Sequence, residues 1–181
     1  MSELRPGARA SAVLVPLWRD ADGAWRLVVV RRTEGGAHSG QLAFPGGVCE
    51  PRDGSTIETA LREAEEEIGL LRSSVTTLAE LPPVGTHTTG FLIAPVLARI
   101  ERPSEWRLAS AEVAEVFEPP IDPWFEPDAR HFADDLAPPP WAGIPLPYYA
   151  IGAHRLWGAS ERILTPLLAR IRDGEWPDLR R

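Results

Sequence analysis

The chain has 181 residues, of which 44% are hydrophobic and 25% are charged, enough for one globular domain with its own core. Its formal net charge is −7 and its 19 basic residues include no lysine, which argues against a general nucleic-acid-binding protein. One cysteine, Cys49, excludes an internal disulfide and suits a reducing cytoplasm, and no apolar run approaches the ~20 residues that span a membrane. We therefore expect a cytoplasmic protein that does not enter the membrane.

Two β-rich runs open the chain, at residues 12–17 and 25–30. The turn-like sequence at 20–23 between them predicts an antiparallel hairpin. A glycine-rich connection at 34–41 then leads into the sequence FPGG at 44–47, where glycine permits a tight turn.

The next segment predicts a helix of about 14 residues, near the average helix length. Ser55 and Glu58 have the spacing of a capping box, and Gly69 ends the pattern. Apolar residues recur at spacings of four, three and four residues, namely Ile57, Leu61, Ala64 and Ile68. We expect this apolar side to pack inward and the charged side chains between these residues to lie toward the other side.

Further strands are predicted at 75–81 and 91–100, and Pro95 inside the second favours a sheet edge or a bulge. Residues 112–117 alternate polar and apolar side chains, which favours a strand over a short helix. The proline- and tryptophan-rich stretch at 119–147 predicts irregular structure ordered by aromatic packing, which could form a wall for the substrate.

The pattern at 148–151 predicts a last strand. Residues 159–172 predict a closing amphipathic helix that is kinked or restarted at Pro166. Strands that alternate with one long helix indicate a single mixed α/β domain.

Three carboxylates of the first predicted helix, those of Glu63, Glu66 and Glu67, are spaced three and four residues apart. They share one face and repel one another. A cation is expected there, and clustered carboxylates suit Mg²⁺ or Mn²⁺, ions that are commonly used to handle phosphate.

Residues 47–70 resemble the Nudix box, whose pattern is GX5EX7REUXEEXGU with U aliphatic. The match is REAEEEIGL from Arg62 to Leu70. Upstream, Asp53 stands in place of the glutamate, and eight residues instead of seven separate it from Arg62. The resemblance implies a Nudix fold, with a mixed β-sheet sandwiched between helices, and hydrolysis of a nucleoside diphosphate linked to another moiety.

The lengthened, Asp-containing loop is similar to that of a branch resembling coenzyme A pyrophosphatases. The upstream pattern of this branch, LLTXR(S/A)X3RX3GX3FPGG, can be laid on residues 27–47, although Arg32 replaces a small residue and Gly36 replaces the second arginine. Similarity covers most of residues 25–172 but is poor at 119–147. The substrate-binding residues implied are Arg31, Arg32, Phe44 and Gly46.

The resemblance also implies roles for the helix. Glu63, Glu66 and Glu67 would hold Mg²⁺ or Mn²⁺, with a backbone carbonyl from Gly46 or Gly47. Arg62 would orient the carboxylates by hydrogen bonds. The general base would be Glu67, Glu112 or Glu115. The catalytic set is then Arg62, Glu63, Glu66, Glu67 and Glu112.

Three functions compete on the sequence alone. The first is hydrolysis of coenzyme A to 4'-phosphopantetheine and adenosine 3',5'-bisphosphate. The second is hydrolysis of another substrate such as ADP-ribose or NADH, and the third is an inert binding module on the same scaffold. The expected partner is a small-molecule nucleotide, with a homodimer left open. Trp124, Trp141, Tyr148 and Tyr149 could either stack an adenine or pin the proline-rich segment in place.

Overall fold

The computed structural model describes residues 8–33, 40–86, 90–108, 111–137 and 142–180. These residues form twelve strands and two α-helices. The strands are β1 (Arg9–Arg19), β2 (Trp25–Leu27), β3 (Val29–Arg32), β4 (Leu42–Ala43), β5 (Gly46–Val48), β6 (Val75–Glu80), β7 (Val84–Gly85), β8 (Phe91–Ile100), β9 (Val113–Phe117), β10 (Arg130–Ala133), β11 (Leu146–Ile151) and β12 (His154–Trp157). The helices are α1 (Thr56–Ile68) and α2 (Ala159–Arg172), and short 3₁₀ turns lie at Arg72–Ser74, Asp122–Phe125 and Pro177–Arg180.

The largest sheet has the order β2-β1-β8-β6, with β5 paired to β1 and β7 paired to β8. It is mixed, because β1 and β8 run parallel whereas the other pairs are antiparallel. Two antiparallel sheets of three strands accompany it, β4-β3-β9 and β10-β11-β12.

Alternation of side chains along β1 places the two helices on opposite faces of the large sheet. Leu14 belongs to the same hydrophobic cluster as Ile68 of α1. Val15 and Leu17 belong to a second cluster that contains Leu164 of α2. Since successive strand residues point to opposite faces, the sheet lies between the helices. The predicted sandwich is confirmed.

The predicted hairpin is confirmed, with Leu17 of β1 opposite Leu27 of β2. The run at 25–30, however, is not one strand, since the chain leaves the first sheet at Val28 and β3 pairs with β4 and β9 instead. Val28 is fully buried, and its N–H donates to the Pro16 carbonyl at 3.0 Å. An unbroken apolar run therefore crosses between two sheets.

The predicted strands at 75–81, 91–100 and 112–117 correspond to β6, β8 and β9. Of the two alternatives favoured by Pro95, the edge position is wrong, since β8 lies between β1 and β6. An irregularity is present in the pairing of β8 with β6, between Thr77 and Ala79. The Pro95 carbonyl accepts from the Leu81 N–H at 2.8 Å, just after β6 ends and before β7 begins. The missing N–H of Pro95 lies on this side of β8, next to the break between β6 and β7.

The stretch at 119–147 is less irregular than predicted. It contains a 3₁₀ turn and β10, in which Arg130 lies opposite Tyr149 of β11. The expected aromatic packing is present, because the rings of Trp124 and Tyr149 are both buried with centroids 5.5 Å apart. Trp141 lies outside the described residues.

The end of the chain differs from the prediction in one respect. The strand at 148–151 is not the last one, because β12 follows it and pairs with it. The closing helix is confirmed as the single α-helix Ala159–Arg172, which contains Pro166 and does not restart there. Within the described part of the chain, no helix has the length and apolar character needed to cross a membrane.

Candidate functional site

Capping interactions set the position of α1. The Ser55 Oγ accepts from the Glu58 N–H at 3.2 Å, as predicted for a helix start. The returning bond of the capping box comes from the Gly54 N–H, which donates to Glu58 Oε2 at 2.7 Å, instead of from Ser55. At the other end Gly69 has φ +69°, a left-handed conformation that favours glycine and ends the helix.

Arg62 is the centre of the site, and its side chain is only 7% exposed. Its Nε donates to Asp53 Oδ1 at 3.0 Å, and its Nη2 donates to Asp53 Oδ2 at 2.9 Å and to the Val48 carbonyl at 3.1 Å. Its Nη1 donates to Glu63 Oε1 at 2.8 Å and to Glu66 Oε2 at 3.0 Å. All five guanidinium N–H groups are therefore used. These hydrogen bonds fix the positions of three carboxylates, and the role of Arg62 as an orienting group stays a prediction.

Four charged side chains of α1 were expected on its solvent side, namely those of Arg62, Glu63, Glu66 and Glu67, and two of them do not lie there. Arg62 and Glu67 are both buried. Each has a compensating partner elsewhere in the chain, since Asp53 pairs with the guanidinium and the Gly46 N–H donates to Glu67 Oε2 at 3.0 Å. Buried charges persist in proteins when they are paired and hydrogen-bonded in this way.

Asp53 occupies the position at which the lengthened loop meets α1. Besides Arg62, it accepts from the Thr59 Oγ1 and from the Glu50 N–H, both at 2.9 Å. The hydrogen bonds from Arg62 hold the Asp53 pKa well below its usual 3.8, and those from the Glu50 N–H and Thr59 act in the same direction. The extra loop residue has not displaced the acid, and Asp53 belongs to the site although sequence reasoning left it out of the catalytic set.

Glu67 is the most buried carboxylate of the cluster, with 4% of its surface exposed. Burial raises the pKa of Glu67 from 4.5 to about 7. The Gly46 N–H and the charge of Arg32 act against this increase, whereas the charges of Glu63 and Glu112 add to it. A nearby cation would favour the ionised form of Glu67 and so act against the effect of burial.

Glu63 lies directly against the glycine turn. A Cβ added to Gly47 would lie 2.5 Å from Glu63 Cδ and 2.7 Å from its Oε2, so the Glu63 carboxylate would have to move for any other residue to fit here. A Cβ on Gly46 would lie 2.6 Å from a Cα atom of β1. Burial raises the pKa of Glu63, and the charges of Glu66 and Glu112 raise it further, although Arg62 lowers it.

Glu112 approaches the cluster from the start of β9. Its Oε2 accepts from Arg32 Nη2 at 2.9 Å. Its charge acts on both Glu63 and Glu67. Glu112 is therefore near enough to interact electrostatically with Glu63 and Glu67, and its role as general base stays a prediction.

The neighbouring pair, Arg31 and Glu115, faces the other way. Both Arg31 Nε and Arg31 Nη2 donate to Glu115 Oε2 at 3.3 Å. Because Arg31 lies opposite Glu115 and alternates with Val30, it shares the sheet face of Val29 and Phe117, which pack in the cluster around α2. The two adjacent arginines of β3 are therefore on opposite faces, and only Arg32 lies beside the α1 carboxylates.

Phe44, a predicted substrate contact, is 3% exposed and packs in the core around α2. It has almost no surface to offer a substrate. Gly36, the position at which the second arginine of the pattern is replaced, lies outside the described residues.

The donor set fits a hard divalent cation. In the regions described by the structure, no three Asp, Glu, His or Cys side chains already converge to hold a metal ion. Arg62 Nη1 instead occupies the place between the Glu63 and Glu66 carboxylates, and Glu67 is turned to the Gly46 N–H. Several carboxylate oxygens thus lie within one small region, with more negative charge than the local arginines balance.

A mixed sheet between two helices, with a buried arginine ordering carboxylates at a glycine turn, defines the class of protein. Residues 8–141 match the family model described as the NUDIX domain. The chain belongs to the Nudix family.

Relatives of similar length support this assignment. The chain is 32% identical over 164 residues to a Nudix hydrolase NudL of Photorhabdus laumondii, with 90% of this chain and 85% of the relative covered. It is 35% identical over 150 residues to NudL of Salmonella paratyphi B, with 82% and 70% covered. Both are named as uncharacterized Nudix hydrolases, so the protein is a Nudix hydrolase, and these two names specify no substrate.

Solved structures agree at the level of the fold. A MutT/nudix family protein from Enterococcus faecalis superposes with a TM-score of 0.64 at 16% identity, covering 99% of this chain and 68% of its own. The Nudix hydrolase RenU from M. smegmatis gives a TM-score of 0.54 at 19% identity, covering 64% of this chain and 73% of its own.

Proposed function

We propose that the protein hydrolyses a pyrophosphate bond in a nucleoside diphosphate derivative and that the reaction requires Mg²⁺ or Mn²⁺. The observation that carries this proposal is the cluster around Arg62. Arg62 Nη1 donates to Glu63 and Glu66 at 2.8 and 3.0 Å. Glu67 is buried and accepts from the N–H of Gly46 in the neighbouring glycine turn. Like-charged carboxylates are crowded together in this way where a cation is to be bound.

In this proposal the three glutamates and the Gly47 carbonyl hold the metal. Bound divalent ions neutralise phosphate charge and lower the pKa of a coordinated water. Glu112 accepts the proton of the attacking water, because it is exposed and lies beside Glu63 and Glu67. Arg62 keeps the carboxylates in position and contacts no substrate, since its five N–H groups are already used.

We propose coenzyme A or a derivative as the leading substrate. The support is the resemblance of the lengthened loop, together with the position of Asp53, which binds Arg62 by two hydrogen bonds despite the changed spacing. Gly36 favours the alternative of another substrate, such as ADP-ribose or NADH, because a guanidinium of the pattern is missing there. Of the two arginines that could compensate for it, Arg31 and Arg32, only Arg32 is on the side of α1.

A substrate panel tests the choice between these substrates. The purified protein is assayed with Mg²⁺ and with Mn²⁺ on coenzyme A, ADP-ribose and NADH, and kcat/KM is compared. The expected products from coenzyme A are 4'-phosphopantetheine and adenosine 3',5'-bisphosphate. Slow cleavage of coenzyme A beside fast cleavage of ADP-ribose would rule out the leading substrate and leave the reaction class in place.

Glu66→Gln tests whether the α1 cluster is the catalytic site, and with it the third reading, an inert binding module. We expect kcat to fall by orders of magnitude, because the substitution removes a metal ligand with little change in shape. Glu65→Gln is the matched control, since Glu65 lies next to it on the helix and pairs with Arg72 at 3.2 Å. Equal rates for the Glu66 variant and the wild type would mean that the helix is not the site.

A further inference from the structure

Arg32 has a position that suggests a role other than substrate binding. Resting on the function proposed above, we propose that Arg32 is a positioning residue, which holds the Glu112 carboxylate beside Glu63 and Glu67. The substrate-binding role implied by the sequence resemblance would then belong to other groups.

The end of β3 and the segment before β9 are joined at both backbone and side chain. Arg32 Nη2 donates to Glu112 Oε2 at 2.9 Å. The next residue, Thr33, donates its N–H to the Glu112 carbonyl at 2.8 Å and its Oγ1 to the Ala111 carbonyl at 2.7 Å. The backbone at 111–112 is therefore fixed to the residue that follows Arg32, so the ion pair orients a side chain whose backbone is anchored.

Glu112 needs such a partner because of its surroundings. Its side chain is 65% exposed, so packing leaves it many rotamers. The charges of Glu63 and Glu67 repel it, as their mutual electrostatic interactions with Glu112 indicate. The positive charge of Arg32 on β3 opposes this repulsion and favours a position of the Glu112 carboxylate beside the cluster.

Arg32 is suited to oppose this repulsion. Its side chain is 32% exposed, which is half the exposure of Glu112, and its charge acts on Glu67 as well as pairing with Glu112. It therefore interacts with Glu67 and Glu112, two of the three carboxylates considered as general base. The small residue that the resembling pattern has at this position could not reach either carboxylate.

Kinetics of matched variants separate positioning from substrate binding. Arg32→Ala should lower kcat about tenfold or more with KM changed less than about twofold, because a displaced base affects the chemical step and not substrate binding. Arg32→Lys should recover part of kcat. The double variant Arg32→Ala/Glu112→Gln should be no slower than Glu112→Gln alone, since both changes remove the same function.

A control and a second readout avoid dependence on turnover. Arg155→Ala is the control, because Arg155 forms a comparable exposed pair with Asp135 at 2.6 Å on β12. In metal-free protein labelled with ¹³C-glutamate, the Glu112 carboxyl resonance is assigned by its loss in Glu112→Gln. We expect it to shift in Arg32→Ala and to stay in place in Arg155→Ala.

Several results would overturn the inference. They are a raised KM with unchanged kcat in Arg32→Ala, additive effects in the double variant, and a Glu112 resonance that does not move. Failure of the proposed function is a distinct outcome, because the wild type would then be inactive on every substrate of the panel. The inference alone fails when the wild type is active and Arg32→Ala matches it.

Discussion

Glu67→Gln is expected to stabilise the metal-free protein at neutral and alkaline pH while it impairs metal binding. Glu67 is buried, and one carboxylate oxygen accepts from the Gly46 N–H at 3.0 Å. The glutamine oxygen can accept the same hydrogen bond, so the substitution removes the buried charge and little else. The difference in unfolding free energy between the variant and the wild type is then the cost of ionising the Glu67 carboxyl group away from water.

The size of this effect follows from the pKa of Glu67, which burial raises from 4.5 to about 7. Each pKa unit corresponds to about 1.4 kcal/mol, so full ionisation in the folded state costs about 3 kcal/mol of unfolding free energy. Because the folded pKa is the higher one, the neutral carboxyl is not penalised below about pH 4.5, and stability is lost as the pH rises through about 7. The advantage of the glutamine variant should therefore be near zero at pH 4.5 and reach about 3 kcal/mol above pH 7.

The assay is urea unfolding in EDTA between pH 4.5 and 8.5, with Glu65→Gln as the control because that side chain is partly exposed and paired at the surface. The control should differ from the wild type by less than about 1 kcal/mol throughout. Saturating Mn²⁺ should remove or reverse the advantage of the Glu67 variant, since a ligand stabilises the form that binds it. A difference that does not depend on pH, or a Glu67 variant that is less stable at pH 8, would refute the reasoning.

Two further substitutions probe the geometry of the site. Gly47→Ala should weaken Mn²⁺ binding about tenfold or more, because the new Cβ would lie 2.7 Å from Glu63 Oε2 and displace that carboxylate. Titration with Mn²⁺ monitored by EPR measures the affinity, and Gly85→Ala is the control because a Cβ there meets no atom within 4 Å. Equal affinities of the Gly47 variant and the wild type would contradict the prediction. Asp53→Asn should lower kcat and the neutral-pH unfolding midpoint, since Arg62 loses its charged partner. The Asp53 pKa is lowered by this pairing, so the stability difference should be present above about pH 3.8 and shrink as the pH falls below it; thermal unfolding at pH 7 and pH 2.5 tests this, and a larger difference in acid would contradict it.

The α1 helix could be predicted from the sequence because its signals are local. Ser55 begins it and Gly69 ends it, both within a residue of the expected positions. The orientation of its charged side chains could not be predicted in the same way. Arg62 is buried against Asp53, nine residues away, and Glu67 against Gly46, 21 residues away. Polar periodicity alone assigns such side chains to solvent, because partners across a loop are not visible in it.

Short strands were predicted least well, for a related reason. β10 and β12 have four residues each, and β10 lies in a proline-rich stretch. Their existence depends on pairing with β11, for example Arg130 opposite Tyr149, more than on their own composition. The change of sheet at Val28 was missed because a fully buried run of valines looks the same on either side of the break.

The guanidinium of Arg62 explains how the site tolerates an altered loop. One edge, Nε and Nη2, binds the carboxylate of Asp53, whereas Nη1 binds Glu63 and Glu66 on the helix. The helix carboxylates are therefore set by the position of the guanidinium and not by the length of the loop, provided that an acid reaches its far edge. Asp53 does so although one more residue separates it from Arg62 than the Nudix pattern has. A lysine at position 62 has three donors on one atom and no planar fork, so it could not face the loop and the helix at once.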